Sequence, residues 1–228
     1  MVTAGLTLAL DAAAGVGTIA VLAEGALIAE RTVQMKSAGE ELFFPQLLDV
    51  LREAGTTPRD LSRVVCGAGP GSFTALRVVG AIAKGLCEGT GCALYGVPSL
   101  ALIVSAHEGT RRGGRWLATL DAMRGDRYLA LVTVGNGGDV TTVESLGLAP
   151  IAALPERARL ADATLIGPDE TLAATPHASG VVRCLGLVDS AGAADIAAWE
   201  PVYGRLAEAQ VKWEATHGRP LAAVRLVP

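Results

Sequence analysis

Two aspartates head the candidates for chemistry in this 228-residue chain. Asp11 closes the apolar run Leu6–Leu10, and Asp121 closes Trp116–Leu120. A carboxylate at the C-terminal end of a buried strand is where α/β folds commonly place functional groups. To work on a nucleotide it needs hydroxyls and amides beside it for the phosphates, yet Asp11 is followed by Ala12-Ala13-Ala14. An aspartate that only caps its own turn fits the same pattern. The third candidate is the turn Gly69-Pro70-Gly71-Ser72. Amides exposed ahead of a helix can hold an anion, so Gly69 and Gly71 join Asp11 as nucleotide-binding candidates. The turn has no adjacent lysine and no Gly-x-x-x-x-Gly-Lys-Ser/Thr spacing, which leaves a poor phosphate cradle. Ser72 is not the nucleophile of a Gly-x-Ser-x-Gly elbow, because position 74 is Thr.

Other chemistries find little support. His107, His177 and His217 lie far apart in linker-like or tail positions, and none has a partner at metal-ligand spacing. The cysteines at 66, 87, 92 and 184 form no Cys-x-x-Cys pair and suggest no disulfide framework. No catalytic residue, metal ligand or cofactor is therefore assigned. A formal charge of −4, with no basic run longer than Arg111-Arg112, argues against this chain alone gripping a nucleic acid. Half of the residues are hydrophobic and 18% charged, which excludes general disorder. Asp11 interrupts the first apolar run and Pro98 the longest later one, so neither reads as a membrane span or leader, and a cytoplasmic location is expected.

The elements that position these residues follow from periodicity. Leu6–Leu10, Thr18–Ala23 and Ala26–Met35 are predicted strands, with Glu24-Gly25 as a hairpin turn. Glu40–Ala54 is a predicted helix with Leu42, Phe43, Gln46, Leu47, Val50 and Leu51 on one face, and Pro45 within its first turns. Val64–Cys66 is a buried strand, and after the glycine turn a helix begins at Phe73 with Ser72 as its expected N-cap. Ala75, Val79, Ala83 and Cys87 form a small-residue stripe on it, beside Leu76, Gly80 and Lys84. Such a stripe suits either packing on the chain's own sheet or a seam for a second chain. Ala93–Val97 is a strand, and Ser99 is expected to cap a helix over Leu100–His107. Glu108–Gly114 reads as a linker. Beyond it, Trp116–Leu120, Tyr128–Val134 and Val140–Leu146 repeat the opening grammar of strand, aspartate and antiparallel partners, with Ala122–Asp126 as the turn. Short strands are expected at Thr164–Gly167 and Val181–Leu185, and helices at Ser190–Trp199 and Leu206–Thr216. Two units are expected, 1–107 and a smaller 108–228 that includes the tail helix.

Six blocks in fixed order carry a resemblance over residues 6 to about 217. They are Leu8-Ala-Leu-Asp11, Leu42-Phe-Phe-Pro45, Gly69-Pro-Gly-Ser-Phe-Thr-Ala-Leu-Arg77, Gly96-Val-Pro-Ser-Leu100, Asp121-Ala-Met-Arg-Gly-Asp-Arg-Tyr128 and Glu200-Pro-Val-Tyr-Gly-Arg205. Together they resemble the TsaB family of tRNA threonylcarbamoyladenosine synthesis. The resemblance implies a two-lobed actin-like (ASKHA, ribonuclease H-like) α/β fold with mixed sheets flanked by helices. It implies a non-catalytic paralogue of TsaD that serves as its scaffold while TsaD transfers the threonylcarbamoyl group to adenosine 37 of ANN-decoding tRNAs. A TsaE-type ATPase completes that assembly and tRNA is met only through the complex; without TsaD the same apolar surface is expected to pair two copies in a homodimer, because such a patch seldom stays uncovered. The implied partner interface is a bundle of the first two helices, here Leu42, Phe43, Leu47, Leu51, Ala75, Leu76, Val79, Gly80, Ala83 and Cys87, which reads the stripe as a seam and the turn as the device that aims it outward. Three departures stand out: Asp11-Ala12-Ala13 for Asp-Thr-Ser, Gly39-Glu40-Glu41 at the start of the first helix, and Ala75 for Gly. The alternative from a different class is a small-molecule kinase or ATPase of the same fold, using Asp11 and Asp121.

Overall fold

The computed structural model describes residues 5–35, 42–204 and 216–217. The first three strands, β1 (Leu6–Asp11), β2 (Val16–Ala23) and β3 (Ala26–Gln34), form an antiparallel meander. β4 (Leu61–Gly67) and β5 (Ala93–Val97) add in parallel on the other side of β1, giving the order β3-β2-β1-β4-β5. The second half repeats this path. β6 (Gly114–Asp121), β7 (Asp126–Val134) and β8 (Val140–Pro150) are antiparallel, while β9 (Thr164–Gly167) and β10 (Leu172–Ala173) extend the other edge in parallel, in the order β10-β9-β6-β7-β8. Two sheets of one topology, each opening on a strand that ends in aspartate, make this the two-lobed actin-like arrangement of the ribonuclease H-like class.

The helices sort onto the sheet faces by their apolar sides. α1 (Phe43–Glu53) and α2 (Phe73–Thr90) cover one face of the first sheet, where Phe43, Leu47, Val79 and Ala83 meet Leu8, Leu10, Val64 and Leu94. α3 (Ser99–Ala106) is buried over Ser99–Ser105, with apolar residues on every side between its two serines. It shares one core with the other face of the first sheet (Ala9, Val65) and the inner face of the second (Trp116, Ala118, Val132). α4 (Leu154–Leu160) covers the outer face of the second sheet through Leu154 and Ala158. α5 (Leu185–Ala191) follows a 3₁₀ segment, Ala178–Cys184, in that shared core. A single core thus joins side chains from both halves of the sequence.

Several expectations are corrected. Val181–Leu185 is 3₁₀ and helical backbone rather than strand, and the expected helix at Ser190–Trp199 lies earlier, at Leu185–Ala191. Arg183 anchors this segment: its buried guanidinium donates to the carbonyls of Gly138, Ser105 (2.9 Å) and His107 (3.2 Å) and to Thr110 Oγ1 (2.9 Å). α1 begins at Phe43, which puts Pro45 in its first turn, where no helical amide bond is lost. Glu40, Glu41 and the tail helix over Leu206–Thr216 fall outside the described residues, Thr216 apart.

Candidate functional site

Asp11 sits at the centre of the first sheet's C-terminal edge, and each oxygen of its carboxylate is held by a donor. Oδ1 accepts from the Ala13 amide at 2.9 Å and Oδ2 from the Ser99 hydroxyl at 2.5 Å. The Ser99 oxygen in turn accepts from the Gly69 amide at 3.0 Å. Three segments distant in sequence, the β1 end, the glycine turn and the start of α3, are tied through one buried acid. Ser99 is therefore a tie to Asp11 in the first turn of α3 and not its cap, the N-cap position being Pro98. Burial pushes the Asp11 carboxyl up to about 6, against the lowering effect of its two donors. A Cβ on Gly67 would lie 1.9 Å from Asp11 Oδ2. Gly67→Ala is therefore expected to destabilise by about 1–3 kcal/mol or more through overpacking, read as a lower urea midpoint at unchanged slope.

The glycine turn closes on the loop after β1 and leaves no cradle between them. Ser72 N donates to Ala13 O at 2.8 Å, and a Cβ on Gly71 would come within 2.3 Å of the same oxygen. Ala12 and Ala13 are buried where a phosphate-binding aspartate loop would carry hydroxyls. With the Gly69 amide on Ser99 and the Ser72 amide on Ala13, Gly69 and Gly71 serve close backbone approach. Ser72 occupies the N-cap position of α2, but its side chain makes no capping bond.

Asp121 is not the counterpart of Asp11. It is exposed, pairs with Arg127 and accepts from Met123 N at 3.2 Å, while Arg127 bridges onward to Asp169 at 2.8 Å. The histidines work mainly as caps. His107 Nδ1 accepts from Gly109 N at 3.1 Å, and His177 Nδ1 from Ser179 N at 3.2 Å. Both line a cavity of about 330 Å³ with Glu30 and Ser179, a meeting their sequence spacing gave no sign of. His217 is exposed. Among the described residues no group of three or more histidine, cysteine, aspartate or glutamate side chains could hold a metal, and no helix is long and apolar enough to cross a membrane.

The segment 194–204, which periodicity misread as partly helical, is a strap across β5, α2 and the glycine turn. Ala194 N donates to Leu94 O and Val202 N to Ala68 O, each at 2.7 Å. Lys84 Nζ donates to the carbonyls of Ala197 (3.4 Å) and Trp199 (3.0 Å). Gly80 lies under Trp199 and Pro201, Gly96 faces the Trp199 indole nitrogen, and a Cβ on Gly69 would meet Val202 O at 2.4 Å. The Tyr203 ring packs at a tilt against Phe73 with centroids 4.6 Å apart, and its carbonyl accepts from Tyr128 OH at 3.2 Å. Four of the six sequence blocks thus meet along one strap, which accounts for Gly69, Gly96 and Gly204 by packing.

That geometry places most of the expected interface residues inside the chain. Phe43, Leu47, Leu51, Ala75, Leu76, Val79, Gly80, Ala83 and Cys87 are all buried in the chain's own interior, and Leu42 is half-buried. Ala75, Val79, Ala83 and Cys87 pack in the core beneath α1, and Gly80 faces the strap. The outward faces carry Phe44 and Arg52 on α1, and Thr74, Arg77, Ala81, Gly85 and Glu88 on α2, with Leu48, Val78 and Ile82 half-buried.

Residues 33–148 match the family described as TsaD, tRNA N6-adenosine threonylcarbamoyltransferase. The tRNA threonylcarbamoyladenosine biosynthesis protein TsaB of Bacillus subtilis is 29% identical over 86% of this chain and 92% of its own length. The chain belongs to the TsaB family. Escherichia coli TsaB is 32% identical over 54% of the chain and 53% of the relative, and an uncharacterised Mycobacterium tuberculosis protein is 31% identical over 72% and 75%. A crystal structure of a Pseudomonas aeruginosa protein described as similar to peptidase YeaZ superposes with a TM-score of 0.73 at 22% identity, covering 88% of this chain and all of that one. That likeness supports the fold. Membership of the family places the chain in threonylcarbamoyladenosine biosynthesis.

Proposed function

We propose that this chain is a non-catalytic scaffold subunit that docks a TsaD-type catalytic subunit through the outward faces of α1 and α2. A TsaE-type ATPase then joins the complex, tRNA is engaged only through it, and the same faces pair two copies when the chain is alone. The lobes are taken as 1–107 and 108–228, working in the cytoplasm. The observation that carries this reading is the closed site at Asp11. Its carboxylate is spent on Ala13 and Ser99, and the flanking loops touch each other where a kinase or ATPase of this fold would part them around phosphate. The outward faces support the docking half. Phe44 on α1 is 40% exposed, Leu48 on α1 and Val78 and Ile82 on α2 are half-buried, and Ala81 on α2 is exposed, so both helices turn apolar side chains outward.

Ala81 is exposed on that surface, so Ala81→Trp tests docking without entering the core. Co-purification with a TsaD-type partner is expected to weaken at least a hundredfold while circular dichroism and thermal melting stay as in the parent. Pairing at undiminished affinity would place the interface elsewhere.

A further inference from the structure

Cys87 lies in the last turn of α2 and Cys92 just beyond Gly91, the left-handed residue that ends the helix. The Cys92 thiol donates to Cys87 Sγ at 3.5 Å, in a protein whose remaining cysteines, Cys66 and Cys184, lie on other elements. We propose that Cys87 and Cys92 are a redox modification site, oxidised by hydroperoxides to a reversible disulfide that fastens the end of α2 to the start of β5.

The sulfurs must close from contact to bonding distance, a movement of about 1.5 Å. The chain between them can allow it: side chains added at Gly89 or Gly91 would meet nothing within 4 Å, so this turn is not wedged by neighbours. Cys92 is 7% exposed and Cys87 1%, which makes Cys92 the thiol that a small oxidant reaches first. The Cys92 thiolate attacks the peroxide oxygen, forming a sulfenic acid and releasing water, or an alcohol from an alkyl hydroperoxide. The Cys87 sulfur then attacks that sulfenic sulfur, the S–S bond forms, and a second water leaves with the Cys87 proton. Two thiols are oxidised by two electrons as one peroxide is reduced, and a dithiol restores both. Burial pushes the Cys87 thiol up to about 12, so the second step is slow at neutral pH and quickens as pH rises. The Cys66 thiol is fully buried on β4 and turns to the Gly67 carbonyl at 3.7 Å, while Cys184 lies in the core shared by the two sheets.

The test is peptide mapping of the full chain after hydrogen peroxide, with free thiols alkylated before digestion. Trypsin leaves both cysteines in the single peptide 85–111. That peptide is expected to lose two hydrogens and both alkylation sites, to regain them after dithiothreitol, and to react about tenfold faster per pH unit between pH 7 and 9. Cys92→Ser is expected to abolish the change, and Cys184→Ser to leave it intact. Two alkylated thiols after peroxide, sulfinic acid on Cys92 with Cys87 still free, or a bridge to Cys66 would each overturn the proposal. Because the mapping needs no partner, its outcome is independent of the docking reading.

Discussion

Ala83→Trp is expected to unfold the protein and collapse the yield of soluble material. Ala83 has no exposed surface and packs in the layer where Phe43, Leu47, Val79 and Cys87 fill the space between α1, α2 and the sheet. Protein interiors are packed to crystal density, so a side chain added there must displace its neighbours. Single added methylenes in such cores cost about 1–3 kcal/mol. An indole exceeds that several times over, against a total stability of about 5–15 kcal/mol for a domain of ordinary size. Ala81→Trp, two residues away on the outward face, is expected to change stability by no more than about 0.5 kcal/mol. Thermal melts of the two variants side by side decide the matter. An Ala83→Trp protein that melts like the parent would put the small-residue stripe at the surface, as the resemblance alone suggested.

The two readings of that stripe have a physical origin. α2 carries apolar residues on both sides, with Val79 and Ala83 inward and Val78 and Ile82 outward. Periodicity alone therefore finds no polar face to orient it. Where a strand is buried on both sides, as in β1 and β4, the apolar run marked the element correctly and the terminal aspartate of β1 marked its end. The meander at the start of each half was legible through its hairpin turns, and so was the duplication. α4 escaped notice because only Leu154 and Ala158 of its seven residues are buried, too few for a period to show. The strap could not be read at all. Gly69, Gly80, Gly96 and Gly204 are scattered through the chain, and their common purpose appears only once Trp199, Pro201, Val202 and Tyr128 lie over or beside them. Asp11 was found by its place on a strand, but its bond to Ser99, 88 residues on, is a tertiary fact that turns a candidate catalytic acid into a structural tie.

Asp11→Asn is expected to become progressively more stable than the parent as pH rises from about 4 to 7. In the folded chain the carboxyl's pKa is raised from 3.8 to about 6, with burial outweighing the donors Ser99 and Ala13. A carboxyl that ionises less readily when folded binds more protons in the native state than in the unfolded state between those two values. Stability then falls as pH climbs through that window, the reverse of a salt-bridged acid. A rise from 3.8 to about 6 corresponds to roughly 3 kcal/mol, present as a benefit of the protonated form below pH 4 and lost above pH 6. Asparagine mimics the neutral acid: its Oδ1 still accepts from Ala13 N, and its amide faces the Ser99 oxygen. It carries no cost of ionisation, so the gap between variant and parent opens across this range and flattens outside it. Other titrating groups, His177 among them, contribute alike to both proteins and cancel in the difference. Urea titrations at half-unit pH steps give the profile. A gap that closes as pH rises would mean that the folded chain favours the charged carboxylate, and the closed-site reading of Asp11 would fall with it.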